Sequence, residues 1–362
     1  MLKPPDNYRG LIPEATLAKA LEQYGITEYI TYPYLNINQT VIPVNRISET
    51  SRKALVEDRD GSLYFLKEIP WYIQSEPHAV SIIQLQHELT KAAVKVPTVQ
   101  LTTSGQLIAR VDNSRMLYLQ EYLLDGTMYE GKMEQARAAG AELGKFRVGV
   151  ETFYRFHSSE LPQRSTYASA KDMLVLLLRK FMDQRSAMSK ENQEGIQYFI
   201  RVCKELVDQW ANQHDEWSAS GESIAHGDLN PMNYIFSHSG SVLGLIDFDN
   251  ACKTDPLVDI AEGLLTFSGI TYRSDSSRFE DMRDLAFSPF QQFLEGYAEY
   301  CPLMPSDIEV LPLLVGTACI RLASLGLIRG DWPISSVSQH AENILNVAET
   351  SREYLYELNR MF

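Results

Sequence analysis

Ile224-Ala-His226-Gly-Asp228-Leu-Asn-Pro-Met-Asn233-Tyr-Ile-Phe236, then Gly244-Leu-Ile-Asp247-Phe-Asp249, then Asp255-Pro-Leu-Val-Asp259, is the stretch whose reading decides the fold. It packs carboxylates and a side-chain amide into about one supersecondary unit. Each falls beside a short apolar run rather than inside a solvated charge cluster, which is the pattern of a site and not of a surface.

Tyr234 to Phe236 and Val242 to Ile246 are apolar segments on either side of Ser237-His-Ser-Gly240, and this spacing predicts a hairpin. Such a hairpin sets the loop holding Asp228 and Asn233 beside the strand end that delivers Asp247. One carboxylate, one amide oxygen and a second carboxylate suit a particular task. Asn233 and Asp247 offer hard oxygen ligands for Mg²⁺, and Asp228 is left to accept a proton from a hydroxyl. Phosphoryl transfer needs these parts, because its loose transition state asks for positioning and charge neutralisation more than for covalent help. Any one of the three alone reads as an ordinary turn residue, since Asp and Asn are favoured in loops everywhere; the set at this spacing points to chemistry.

The order Asp, Asn five residues on, and Asp after an apolar strand resembles the catalytic and metal-binding loops of the protein-kinase-like fold. With His-Gly-Asp in place of His-Arg-Asp, and Ile-Asp-Phe-Asp where protein kinases have Asp-Phe-Gly, the chain is similar to the aminoglycoside phosphotransferase and choline kinase family, from about residue 12 onward. The resemblance implies an α+β, bilobal architecture. Residues 1–119 form a nucleotide-binding lobe with a small antiparallel sheet, 120–126 a hinge, and 127–362 a mainly helical lobe with the catalytic and metal-binding loops and the acceptor site. It also implies ATP, with GTP as the alternative, and Mg²⁺ as cofactors. Asp228 is then the base, Asn233 and Asp247 the metal holders, and Asp259 the brace of the catalytic loop. Asp249 assists the metal or caps the next turn, and His226 packs beneath the loop.

Upstream, the texture is that of strands at Tyr29 to Tyr34, Thr40 to Arg46, Lys53 to Glu57 and Ser62 to Leu66, with Asp60-Gly61 as a hairpin turn. An amphipathic helix over residues 11–25 precedes them. Lys67 ends the Leu63-Tyr-Phe-Leu run. A lysine there is commonly a solvated edge charge, but the helix from Pro77 to Val96 carries Glu88 on its flank, where it can pair with Lys67. By resemblance, Lys67 steadies the nucleotide phosphates and Glu88 fixes its position. The loop that should cover the phosphates, Ile47-Ser-Glu-Thr-Ser-Arg52, has no glycine. The hydroxyls of Ser48, Thr50 and Ser51 are its candidate phosphate contacts, and close backbone approach is harder there without glycine. After a further hairpin (Val99 to Thr102, Leu107 to Val111), Met116 to Leu123 is a buried strand. By resemblance the Glu121 carbonyl and the Leu123 N–H meet adenine, with Gln120 behind.

Helices are expected at 133–147, 169–183, 192–214, 257–267, 281–300, 306–328 and 335–360. The polar break Gly269 to Ser277 and the pair Asp331-Trp332 are candidate rims of an acceptor pocket.

The 362 residues suffice for two lobes, and 44% hydrophobic with 22% charged residues is an ordinary globular balance. A net charge of −14 argues against nucleic-acid and anionic-membrane partners and is permissive for a cationic acceptor. Cys203, Cys252, Cys301 and Cys319 are scattered without metal-ligand or paired spacing. No apolar leader opens the chain and no run has the roughly 18 apolar residues of a membrane span, so a cytoplasmic monomer or homodimer is expected. The function that the resemblance implies is phosphotransfer to a hydroxyl of a small molecule such as an amino sugar, aminoglycoside or amino alcohol; choline-like amines, homoserine and thiosugars are also acceptors of proteins that it resembles. The alternatives are a peptide Ser/Thr kinase of a biosynthetic pathway and a non-catalytic nucleotide-binding protein. Asn230 stands where regulatory protein kinases usually place a basic residue, which favours the small acceptor.

Overall fold

The computed structural model describes residues 11–37, 40–44, 51–73, 75–112, 115–164, 166–214, 222–268, 287–330 and 333–361. The chain forms two compact units, one of Met1–Glu130, Val148–Pro162 and Met232–Ala251, the other of Gly131–Arg147, Gln163–Pro231 and Cys252–Phe362. The rims Gly269 to Ser277 and Asp331-Trp332 lie outside the described residues.

The first unit is built on an antiparallel five-stranded sheet in the order β1-β4-β5-β7-β6. Its strands are β1 (Tyr29–Tyr32), β4 (Lys53–Asp58), β5 (Leu63–Glu68), β6 (Ala109–Val111) and β7 (Arg115–Glu121), while β2 (Tyr34–Ile37) and β3 (Thr40–Pro43) pair separately. Asp60-Gly61 turns β4 into β5. Gly61 sits at φ +80°, and the Asp58 carboxylate accepts the backbone N–H groups of Asp60 and Ser62. Helix α1 (Glu14–Gln23) lays Leu17, Ala20 and Leu21 against Ala54, Val56, Leu66, Leu117 and Leu119. Each leucine or valine among them contributes roughly 1.5–3 kcal/mol through burial. Helix α2 (Glu76–Lys91) starts on Pro77 and buries Ile82, Ile83, Leu85 and Leu89.

The hairpin expected at Val99 to Val111 does not form. Thr98 and Gln100 bond to the backbone of Glu121 and Leu119, and β6 pairs with β7 as well. Both arms of the expected hairpin therefore add to β7, whose backbone offers a longer ladder than they offer one another. The hairpin of the decisive stretch does form, as β9 (Tyr234–Phe236) and β10 (Val242–Leu245), with Leu245 opposite Tyr234. It is fastened to the segment after β7: Thr127 and Phe236 exchange backbone hydrogen bonds at 2.6 and 2.8 Å. Gly244 lies so close to Leu123 that a Cβ there would stand 2.5 Å from Leu123 Cδ1.

The second unit is mostly helical, with α4 (Thr166–Gln184), α5 (Lys190–His214), α6 (Leu257–Phe267), α7 (Phe287–Ala298), α8 (Pro305–Arg329) and α9 (Val337–Met361). Helix α3 (Met133–His157) has residues in both units and runs past the expected end at Arg147, with no glycine after Gly149 and no proline before Pro162 to stop it. Helix α8 packs against α4, α6, α9 and α5. By length and composition α8 alone among the described helices is apolar enough to cross a membrane, but it is mostly buried in the unit, as expected of a helix that is apolar all round. A short ladder of β8 (Ser223–Ala225) and β11 (Cys252–Thr254) carries the His226-Gly-Asp228 loop at its end. All four cysteines are free, and burial pushes the Cys252 and Cys319 thiols up to about 12, so these two are inert.

Candidate active site

Within the first unit the β9–β10 hairpin sets its polar ends side by side. The Ile246 N–H donates to the Asn233 carbonyl at 2.9 Å, which continues the ladder one step beyond Leu245 and fixes Asn233 beside the residue preceding Asp247. Asp247 then takes left-handed backbone angles (φ 68°, ψ 59°), a region costing roughly 1–2 kcal/mol for an L-residue and concentrated at functional sites. It opens a short turn over Phe248–Asn250 whose Phe248 and Asp249 are buried.

Lys67 reaches this turn from β5. It is 3% exposed, lies 2.6 Å from Asp249 Oδ2, and pairs equally directly with Asp247. Burial alone would pull its ammonium down, but the two carboxylates carry it well above the ordinary lysine value. Burial raises the acids, yet Lys67 and Lys53 hold Asp247 below the usual carboxylate range. Asp249, facing the Asp247 charge, is pushed up to about 6. Lys53, on β4, is brought down to about 8 by burial and by Lys67.

Glu88 is not brought to Lys67. Its carboxylate pairs with Lys91 at 2.8 Å on the exposed flank of α2, and the polar residue on the buried face is Gln86, which donates to Gln120 Oε1 at 2.9 Å and to the Pro97 carbonyl at 2.8 Å. The acids that hold Lys67 come instead from the Asp-Phe-Asp turn. Ser51 is buried, and its Oγ has no hydrogen-bond partner among the described residues; Ser48 and Thr50 lie outside them. Glu121 is exposed at the end of β7 with its N–H bonded to the Thr98 carbonyl, and the Leu123 N–H makes no hydrogen bond among the described residues. Among these residues no group of three or more His, Cys, Asp or Glu is placed to hold a metal. A magnesium site built from carboxylates, an amide and a ligand's own phosphates does not require one.

In the second unit the catalytic-type loop is tied down from below by α6. Asp259 accepts the backbone N–H groups of His226 at 2.5 Å and Gly227 at 3.0 Å, so the brace expected from the resemblance is present. Gly227 sits at φ +77°, a conformation that disfavours a side chain, and it turns the chain so that Asp228 follows half-buried. Burial pushes Asp259 up to about 7 despite the two hydrogen bonds, with Glu262 and Asp228 adding repulsion. One helical turn on, Glu262 accepts the Leu229 N–H at 3.1 Å and pairs with Arg321 of α8. Glu262 and Arg321 escaped the sequence reading, although Glu262 lies three residues after Asp259 and so on the same face of α6. They line a small cleft of about 50 Å³, open to solvent, together with Arg164, Gly227, Thr254 and Thr317. Its few fixed polar groups stand beside the loop that carries Asp228.

Comparison with known proteins gives the family and the fold. A model described as the phosphotransferase enzyme family matches residues 44–298. A homoserine kinase of Rhodopseudomonas palustris (strain BisA53) is 21% identical over 305 residues, 84% of this chain and 81% of that protein. Among solved structures, an aminoglycoside phosphotransferase from Alicyclobacillus acidocaldarius superposes with a TM-score of 0.64 at 14% identity, covering 97% of this chain and 96% of that one. Amicoumacin kinase hAmiN, in complex with AMP-PNP, Ca²⁺ and Ami, gives 0.61 at 16% identity and covers 86% of each chain. These likenesses show the protein-kinase-like fold, and the family match shows the chemistry: the chain belongs to the phosphotransferase enzyme family and is a kinase with an alcohol group as acceptor.

Proposed function

We propose that this protein moves the γ-phosphate of ATP, with GTP as the alternative donor, to the hydroxyl of a small acceptor of the amino-acid or amino-alcohol kind. The observation that carries the reading is the buried Lys67 held by both carboxylates of a turn that Asp247 enters with left-handed backbone angles. A buried ammonium and a buried acid beside a second, partly exposed acid are suited to binding phosphate and cation.

The residues fit Mg²⁺. Asp247 and the Asn233 side chain would hold it, with Asp249 within the same turn, all hard oxygen donors. When bound, the ion supplies charge neutralisation to the phosphates. Lys67 steadies the phosphates by direct charge, and the free Leu123 N–H with the Glu121 carbonyl meets the adenine edge. Asp228 orients the acceptor hydroxyl and takes its proton. The Asp259 brace holds the loop so that Asp228 presents one geometry, and the entropic advantage of this lies in positioning.

The acceptor class rests on the cleft beside Gly227. Arg321 gives Glu262 one nitrogen, and a planar guanidinium has further donors in a fork that matches a carboxylate. A carboxylate-bearing alcohol such as homoserine suits this lining, and a curated relative is named a homoserine kinase. Among the acceptors expected from sequence, polycationic aminoglycosides suit two arginines least. The protein acts in the cytoplasm as a monomer or homodimer.

The test is a screen of acceptors by ATP consumption, with homoserine, amino alcohols and aminoglycosides side by side. The reading expects turnover on a small hydroxy amino acid, with Arg321→Met raising KM about tenfold or more for that acceptor and little for its decarboxylated analogue. Turnover confined to aminoglycosides would contradict the acceptor class, and no turnover on any small acceptor would contradict the small-molecule assignment.

A further inference from the structure

β4 and β5 pair in a register that sets Lys53 directly opposite Lys67, and opposite residues of an antiparallel pair project from the same face of the sheet. Both are buried, at 7% and 3% exposure. Lys67 is neutralised by two carboxylates. Lys53 has no direct pair: among the described residues its ammonium makes no hydrogen bond and has no carboxylate within ion-pair distance, and Asp247 and Asp249, already bonded to Lys67, act on it only at longer range. It lies over the face of Phe65, 5.8 Å from the ring centroid. Two residues before it on the chain, the Ser51 hydroxyl is buried and equally unpartnered.

Like charges opposite one another weaken a strand pair, and a buried cation without a directly bonded anion is costly. Replacing Lys53 with an apolar residue of the same shape would relieve both costs, so the lysine calls for an anion to explain it. The same segment is the end of the loop Ile47-Ser-Glu-Thr-Ser-Arg52, in which no glycine allows close backbone approach to a phosphate. A cation and a hydroxyl at its base can supply by side chain the donors that such a backbone offers less readily.

We propose that Lys53, with the Ser51 hydroxyl, is a second phosphate-binding group of the nucleotide site, taking the place of a glycine-rich cradle. This rests on the phosphotransferase reading given above. It makes Lys53 a residue that reads the nucleotide's phosphates and not its base or sugar.

The test is calorimetric binding of Mg-ADP and of adenosine to the full chain, for the wild type, Lys53→Met, Lys53→Arg and Ser51→Ala. Lys53→Met is expected to weaken Mg-ADP about tenfold or more and to leave adenosine within about twofold, while the ligand-free melting temperature stays level or rises. Lys53→Arg is expected to recover most of the loss. Ser51→Ala removes only a hydroxyl and is expected to weaken Mg-ADP about threefold; it carries the test if Lys53→Met does not fold. Unchanged Mg-ADP binding in Lys53→Met and Ser51→Ala, or an equal loss of Mg-ADP and adenosine, would overturn the assignment while leaving the phosphotransferase reading intact. A wild type that binds neither ligand would overturn both.

Discussion

Lys67 and Asp249 meet at 2.6 Å although 182 positions separate them in the chain, and the same ammonium also holds Asp247. One side chain thus neutralises both acids of the Asp-Phe-Asp turn, and the turn depends on it. Lys67→Met leaves the buried Asp249 and the partly exposed Asp247 without their cation and is expected to destabilise the protein by about 3 kcal/mol, read as a lower urea midpoint. The double variant Lys67→Met/Asp249→Asn is expected to be more stable than Lys67→Met alone, because it removes one of the orphaned charges. A single variant as stable as the wild type would show that the three charges do not hold one another.

The brace at Asp259 gives the protein a pH signature. Burial raises this carboxyl to about 7 in the folded state, well above its unfolded value near 3.8. The folded state therefore holds the proton more tightly. The stability contributed by this group is fully present below about pH 4 and is lost as pH rises through about 7. Asp259→Asn removes the titration and one of the two acceptors for the His226 and Gly227 N–H groups. Wild type minus variant urea stability is expected to decline between pH 4 and 7; a flat difference would contradict the raised value.

Close approach of the hairpin to the chain after β7 makes a second structural prediction. In Gly244→Ala the new methyl would stand 2.5 Å from Leu123 Cδ1, so Leu123 has to move. The atom met is the tip of a half-buried side chain that can turn aside, so a loss of about 1 kcal/mol is expected from overpacking, read as a lower urea midpoint. Unchanged stability would place the hairpin's fit elsewhere.

The Glu262–Arg321 pair offers a third. Glu262 is 5% exposed and Arg321 21%. Arg321→Met strands a buried carboxylate and is expected to cost about 3–5 kcal/mol, whereas Glu262→Leu/Arg321→Met is expected to recover much of that stability. The double variant is also expected to lose turnover, since the Leu229 N–H loses its acceptor. Full recovery of both would mean that the pair does not support the loop.

What the sequence could disclose followed from local physics. The site hairpin was legible because Tyr234 to Phe236 and Val242 to Ile246 are apolar runs separated by a turn, whereas the Asp259 brace came from the family resemblance alone. The partner of Lys67 was not. Helical spacing placed Glu88 on a flank of α2, but which carboxylate reaches a buried ammonium is decided by tertiary packing, and Asp247 and Asp249 arrive from 180 and 182 positions away. Lys53 read only as the start of a strand, and the register against β5 shows it facing Lys67. Glu262 and Arg321 are 59 positions apart and meet because α6 and α8 pack. The expected hairpin at Val99 to Val111 failed for a similar reason, since both arms found a better partner in β7.

The central claim is that Asp228 takes the acceptor's proton on a nucleotide site that stands independently of it. The most direct measurement is steady-state turnover of Asp228→Asn with ATP, Mg²⁺ and the best acceptor, alongside Mg-ADP affinity in the same preparation. The account predicts a fall in kcat of about 10²–10⁴-fold with Mg-ADP affinity within about twofold of wild type. Turnover at the wild-type rate would contradict it.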